Sequence, residues 1–327
     1  MSEDIAALEA AVEERAEQID EAMAEVLPFG EDMSLYDASQ YLLEAGGKRL
    51  RPAILLLVTE ALGREAGDYD GVMPAAIAVE ITHGFTLIHD DIMDDDRMRR
   101  GVEAVHVKWD DSTAILTGDF LYSKAFELLL QAEAPAEDRV EMLATMAETC
   151  TMICEGQAMD IAMEGGADVT EDQYLAMVEK KTAVLFAASA AIGAILGGAD
   201  EETVEAMRRY GNKIGTAFQI QDDVLDLKQP SEQMGKARGS DLLEGKRTLI
   251  SIHASEHGVQ PFLSSDATEE EIEAKVREIE EAGSIDYARD RAMQLVAESK
   301  AELDVLPPGP ARDLLEAVPD LLVERDH

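Results

Sequence analysis

The run VMPAAIAVEITHGFTLIHDDIMDDD, residues 72–96, fixes how the rest of the chain is read. Its first part is strongly apolar and follows helical rather than alternating periodicity, which predicts a helix over about 72–94. Its end, HDDIMDDD at 89–96, packs five carboxylates into the seven positions 90–96. Positions i and i+4 of a helix share a face, so Asp90 and Asp94 project together, with Asp91 about 100° round the cylinder. Like charges this close repel and destabilise their own helix. A hard divalent cation such as Mg²⁺ removes that cost. It binds carboxylate oxygens and keeps water that a substrate phosphate can displace.

Aspartate is common enough here for one Asp-Asp-x-x-Asp match to arise by chance. A second match stands at Asp222, Asp223 and Asp226, again after an apolar stretch. Two such matches read as paired metal sites.

The chain has 69 acidic against 28 basic residues, a formal net charge of −41. Nucleic acid is excluded as a partner, since gripping its backbone takes a basic surface, and anionic membrane surfaces are disfavoured by the same repulsion. Such charge often marks disorder, but an apolar content of 46% in periodic order argues for a packed core. The expectation is a folded, halophilic protein from a high-salt cytoplasm, where salt screens repulsion between exposed carboxylates. The N-terminus opens acidic, unlike a signal peptide. The uncharged stretch 183–199 reads as a buried helix rather than a membrane span. Cys150 and Cys154, one helical turn apart, read as buried small apolar residues.

Strand signals are nearly absent and helical periodicity is nearly continuous, so the fold class is all-α. Helices are predicted at about 4–27, 34–44, 51–63, 72–94, 112–132, 136–163, 171–198 and 201–227. A loop follows at 228–245, then a helical and more polar segment over 247–326, broken at 307–310. No linker marks a second domain, so 1–327 is expected to be one domain.

Basic residues are informative because they are scarce. GGKRLRP at 46–52 gathers Lys48, Arg49 and Arg51 on a Gly-hinged turn, where backbone can approach an anion and Arg forks can bind phosphate. Arg97, Arg99 and Arg100 follow the first Asp cluster. Neither a nucleotide-binding glycine loop nor a nucleophile triad occurs. Metal-assisted departure of diphosphate fits this inventory. The carbocation left behind needs an apolar cavity, which the faces of 72–89 and 183–198 can supply.

In order along the chain, GGKRLRP, His83, Asp90-Asp91-Ile92-Met93-Asp94, Arg99-Arg100-Gly101, Gly118-Asp119, Lys181-Thr182, Phe218-Gln219, Asp222-Asp223-x-x-Asp226, Lys236 and Glu244-Gly245-Lys246 resemble the trans-isoprenyl diphosphate synthases, or polyprenyl synthetases. The resemblance covers about 40–250, with C-terminal helices over about 247–326 outside it. It implies an all-helical, single-domain bundle around a deep central cavity, usually a homodimer. It also implies Asp90, Asp94 and Asp222 as principal Mg²⁺ ligands, assisted by Asp91, Asp223 and Asp226, for about three Mg²⁺ per site. Lys48, Arg51, His83 and Arg100 are implied as the isopentenyl diphosphate pocket. Arg99, Lys181, Lys236 and Lys246 are implied as contacts to the allylic diphosphate. Thr182 and Gln219 would face the developing cation. The family reaction ionises the allylic diphosphate, condenses it with isopentenyl diphosphate, then eliminates a proton.

The chain departs from the common family pattern at Glu103-Ala104, Asp110 and Ile250, which puts local loop geometry in question. Gly156, Gln157 and Asp160 match a further family motif, or form a buried polar network. Phe85, five residues before Asp90, is expected to act as a floor for the growing chain, while Thr86 is too small to shorten the cavity. This pairing resembles archaeal-type synthases with a C20 product, geranylgeranyl diphosphate. The alternatives are a C15 or C25 synthase, a non-catalytic subunit of a heteromeric synthase, a terpene cyclase, or a helical binding protein whose Asp runs are surface acidity. The expected location is cytoplasmic.

Overall fold

The structure is a computed structural model that describes residues 3–27, 34–163, 169–228 and 238–323. It is helical almost throughout, as the periodicity predicts. The chain divides into two compact units. Unit one comprises 1–147, 188–207 and 305–317, and unit two comprises 148–187, 208–304 and 318–327. Their boundaries fall inside helices rather than at Gly- or Pro-rich linkers, in keeping with the absence of a linker in the sequence.

Unit one opens with α1 (Glu3–Val26), α2 (Ser34–Glu44), α3 (Leu50–Ala61) and α4 (Met73–Met93). Pro74 sits in the first turn of α4, where its missing N–H removes no helical hydrogen bond. The helix stops at Asp94, and Asp95 takes a left-handed φ of 54°, which aspartate tolerates better than most residues. The chain then makes a small antiparallel hairpin, β1 (Met98–Arg99) with β2 (Val102–Glu103), and a short α5 (Val105–Lys108). Nothing in the residue pattern announces this hairpin, because two-residue strands are too short to alternate.

Next come α6 (Asp111–Leu129) and α7 (Ala136–Met163). α4 packs along α6, and Gly118 permits it: a Cβ there would collide with the His89 imidazole. Asp110 caps α6, its side chain accepting from Thr113 N at 2.9 Å. That departure from the family pattern therefore serves the helix start. Cys150 is buried as expected, but Cys154 is exposed, one turn further along the same helix.

The predicted helix 171–198 is three segments. α8 (Glu171–Val178) starts in a capping box between Thr170 and Gln173, a π-helical turn spans Glu179–Ala183, and α9 (Val184–Leu196) follows. α10 (Glu201–Lys228) carries the second Asp motif. The predicted loop 228–245 contains the short α11 (Ser240–Glu244). The segment 247–326 resolves into α12 (Leu249–Glu256), α13 (Glu269–Glu281), α14 (Ser284–Glu302) and α15 (Pro310–Val323). Ile250, the third departure, is buried in the first turn of α12, which Thr248 caps with Ser251. In unit two the core gathers Tyr174 and Val178 of α8, Ile220 and Val224 of α10, and apolar residues of α11 to α14.

Among the described residues, no helix is long and apolar enough to cross a membrane.

Candidate active site

In unit one the GGKRLRP turn and the segment after the first Asp motif meet. Gly46 takes φ 88°, beyond reach of most side chains, and lets the chain reverse after α2. Arg100 returns from the hairpin to donate to the Gly46 carbonyl. Its own φ of 51° is left-handed, so backbone strain is stored where a cation is aimed. Lys48 is exposed and Arg51 half-buried. Burial and the charges of Arg51, Arg100, Arg49 and Arg99 hold the His83 imidazole well below its usual pKa, in the neutral form.

Arg49 differs from its neighbours. It turns inward, donating to Glu80 and Asp20 at 2.7 Å each and to the Leu43 carbonyl at 2.5 Å. Of the three cations on this turn it braces the fold, leaving Lys48 and Arg51 as candidates for an anion.

The first Asp motif divides by burial. Asp90 and Asp94 are half-buried at the end of α4, while Asp91 is fully buried. Arg99 Nε donates to Asp91 Oδ1 at 2.7 Å and Arg99 also pairs with Asp96 at 3.0 Å. Burial still raises the Asp91 pKa, and its Oδ2 has no hydrogen-bond partner among the described residues. Phe85 is buried, with its ring edge-on to Tyr122 at 5.5 Å and to His89 at 6.1 Å. Thr86 is half-buried and donates to the His83 carbonyl at 2.8 Å.

In unit two the second motif divides in the same way. Asp222 is half-buried, whereas Asp223 and Asp226 are buried and hydrogen-bonded. Asp226 accepts from Ser240 Oγ at 2.7 Å and from Asp241 N at 3.2 Å, which ties it to the start of α11. Asp223 accepts from Tyr174 and Gln219, yet burial pushes its pKa up to about 7. Asp241 beside them is pushed well above the usual carboxylate range, by burial and by Asp226 and Asp223. Sequence reading missed both Tyr174 and Asp241. No spacing in the sequence singles out Tyr174, whose partner Asp223 lies 49 residues further along the chain.

Lys181 and Thr182 lie in the π-helical turn, a feature that recurs at functional sites. Lys181 donates to Asp160 at 2.6 Å and Thr182 to Gln219 Oε1 at 3.0 Å. Gly156 makes room for this turn, since a Cβ there would collide with the Lys181 backbone. Asp160 thus joins the site. The buried Gln157 amide has no hydrogen-bond partner among the described residues, and so extends no polar network there. Lys246 pairs with Glu244 at 3.0 Å. Lys236 lies outside the described residues.

Among the described residues no three His, Cys, Asp or Glu side chains converge to hold a metal ion by themselves. Mg²⁺ takes one or two carboxylates and fills the remaining positions with water and substrate phosphate, so half-buried aspartates at the end of a helix are ligands of the kind it uses. The half-buried carboxylates of the motifs are Asp90 and Asp94 in unit one and Asp222 in unit two. A structural zinc, which needs a closed set of four ligands, does not fit.

The sequence pattern of the polyprenyl synthetase family matches residues 32–284. The chain is 55% identical to a geranylfarnesyl diphosphate synthase of Natronomonas pharaonis, over 98% of each chain. It is 51% identical to a geranylgeranyl diphosphate synthase of Methanosarcina mazei, over 97% of each. The solved geranylgeranyl pyrophosphate synthetase of Geoglobus acetivorans superposes with a TM-score of 0.90 at 45% identity, covering 96% of this chain and 99% of that one. A polyprenyl synthase of Caulobacter crescentus, solved with calcium and isoprenyl diphosphate, gives a TM-score of 0.85 at 31% identity, over 98% of each chain. The ordered motifs, the all-helical isoprenyl synthase fold and these matches agree: the chain belongs to the polyprenyl synthetase family of prenyltransferases.

Proposed function

We propose that the chain condenses isopentenyl diphosphate with allylic diphosphates (dimethylallyl, geranyl and farnesyl), head to tail, with geranylgeranyl diphosphate as its main product. The observation that carries this is the division within each Asp motif. Asp90, Asp94 and Asp222 are half-buried, while Asp91, Asp223 and Asp226 are buried and accept hydrogen bonds from Arg99, Tyr174 and Ser240 respectively. Bound Mg²⁺, about three ions with substrate present, supplies Lewis-acid stabilisation of the charge on the departing diphosphate.

The chain's own residues do the rest. Arg99, Lys181, Lys236 and Lys246 hold the allylic diphosphate as its C–O bond breaks and the electron pair leaves with the diphosphate. Lys48, Arg51, Arg100 and neutral His83 hold isopentenyl diphosphate, whose double bond forms the new C–C bond. Thr182 and Gln219 face the cation with oxygen, and the proton lost afterwards passes to the departing diphosphate. Phe85 is the floor that stops growth in a deep apolar cavity. The whole chain works as one catalytic domain, as a cytoplasmic homodimer without membrane insertion.

The name of the Natronomonas pharaonis relative favours a second reading, a C25 product from the same site. Incubation with isopentenyl diphosphate and each allylic primer in high KCl with Mg²⁺, then chromatography of the dephosphorylated products, separates C20 from C25. Asp90→Ala and Asp222→Ala should each abolish turnover. Undiminished turnover in both would refute the reading.

A further inference from the structure

Tyr174, on α8, is 1% exposed, and its hydroxyl donates to Asp223 Oδ2 at 2.5 Å. The other oxygen of that carboxylate, Oδ1, accepts the side-chain N–H of Gln219 at 3.0 Å. Gln219 Oε1 in turn accepts the Thr182 hydroxyl at 3.0 Å. A side-chain amide nitrogen can only donate and its oxygen can only accept, so the links from Gln219 to Asp223 and from Thr182 to Gln219 have one sense. With its NH₂ committed to Asp223, Gln219 must turn its carbonyl toward Thr182. Thr182 gives its hydrogen to that carbonyl, which leaves its own lone pairs outward. The relay therefore starts at buried Tyr174 and Asp223 and ends in oxygens at half-buried Gln219 and Thr182.

We propose that Tyr174 is a positioning residue for the transfer step: through Asp223 it fixes Gln219 and Thr182 with their negative ends toward the developing allylic cation. The proposal rests on the reading of Gln219 and Thr182 given above. Dipoles already aimed at developing charge need no reorganisation as it forms, which is where electrostatic catalysis gains most. Without the phenol, Asp223 Oδ2 becomes a buried acceptor lacking a donor, an unfavourable state that the carboxylate relieves by rotating. Rotation releases the Gln219 amide, whose N–H groups can then swing to the side where the cation forms. The same geometry separates the two adjacent carboxylates of the motif. Both oxygens of Asp223 are engaged within the protein, and Asp222 is the half-buried member of the pair.

Tyr174→Phe deletes one oxygen and keeps the ring. It should lower kcat roughly ten- to hundredfold, the effect of losing a hydrogen bond to a charged group. KM for both diphosphates and the Mg²⁺ dependence should change little. In a Gln219→Leu background, Tyr174→Phe should have almost no further effect on kcat, because it acts through Gln219. A tyrosine with a merely structural role would lower the melting temperature but leave kcat per folded molecule unchanged, or would cost the same in both backgrounds. Either result overturns the proposal. If Gln219→Leu lowers kcat and Tyr174→Phe does not, the relay alone fails. If Gln219→Leu and Thr182→Val both leave kcat intact, the cation-facing reading fails with it.

Discussion

A neutral imidazole surrounded by guanidinium groups makes His83 a reporter of the site's charge. Its folded-state pKa lies well below 6.5, through burial and the nearby Arg51 and Arg100. Below about pH 6.5 the unfolded chain binds a proton at this position and the folded chain does not, so stability falls as pH falls through that range. The slope is at most about 1.4 kcal/mol per pH unit. His83→Gln should flatten this limb between about pH 6.5 and 5, as read from urea melts across that range, and should raise KM for isopentenyl diphosphate. Phe85 poses a different test, one of shape. Its ring meets Tyr122 and His89 edge-on, so truncation removes both contacts and opens space beside them. Phe85→Ala should shift products to longer chains on chromatography, and an unchanged distribution would remove Phe85 from the floor. Both residues are singled out in the sequence only by counting back from Asp90. Tyr174 is not, because a lone tyrosine on an apolar helix face is indistinguishable from core until its partner across the fold is known.

Among the elements, α6 shows how a departure from the family pattern can be local chemistry. Asp110 has extended backbone and accepts from Thr113 N, so it satisfies one of the donors left open at a helix start. Asp110→Ala should cost about 1 kcal/mol and Asp110→Gly only a few tenths, measured by chemical denaturation, with turnover of the folded enzyme retained. Helix existence and type were readable from periodicity, since 28-residue helices such as α7 and α10 repeat the pattern over many turns. The hairpin at 98–103 and the π-helical turn were not. Each is too short for its pattern to repeat, and each depends on contacts made elsewhere: Tyr41 donating to the Glu103 carbonyl at 3.0 Å, and Gly156 admitting the Lys181 backbone.

For the whole molecule, charge governs everything outside the core. A net −41 over 327 residues is self-repulsion that the 28 basic residues are too few to cancel. Some acid is locally answered, as where Arg15 binds Glu60 and Lys300 binds Asp320, both at 2.7 Å. The excess relies on screening. The Debye length shrinks from about 10 Å at 0.1 M salt to about 3 Å at 1 M, so neighbouring surface carboxylates cease to sense one another. The melting temperature followed by circular dichroism should therefore rise steeply between about 0.1 and 3 M KCl, and a flat profile would count against salt adaptation. Composition supplies the charge balance on which this prediction rests. It could not show that buried and half-buried carboxylates stand side by side in each Asp motif, because burial is decided by the fold.

The π-helical turn at Glu179–Ala183 has a consequence for how the long segment around it can vary. One extra residue in a turn rotates everything beyond it by about 100° relative to everything before. The segment therefore behaves as two helices with independent phases. One is keyed to Tyr174 and the carboxylates, the other to the apolar packing of Phe186 and Ile192. Substitutions on either side leave that phase difference intact. Loss of one residue within the turn cancels it, so the chain could stay fully helical while Lys181 and Thr182 point away from the site. Helix content and function are uncoupled at that one turn.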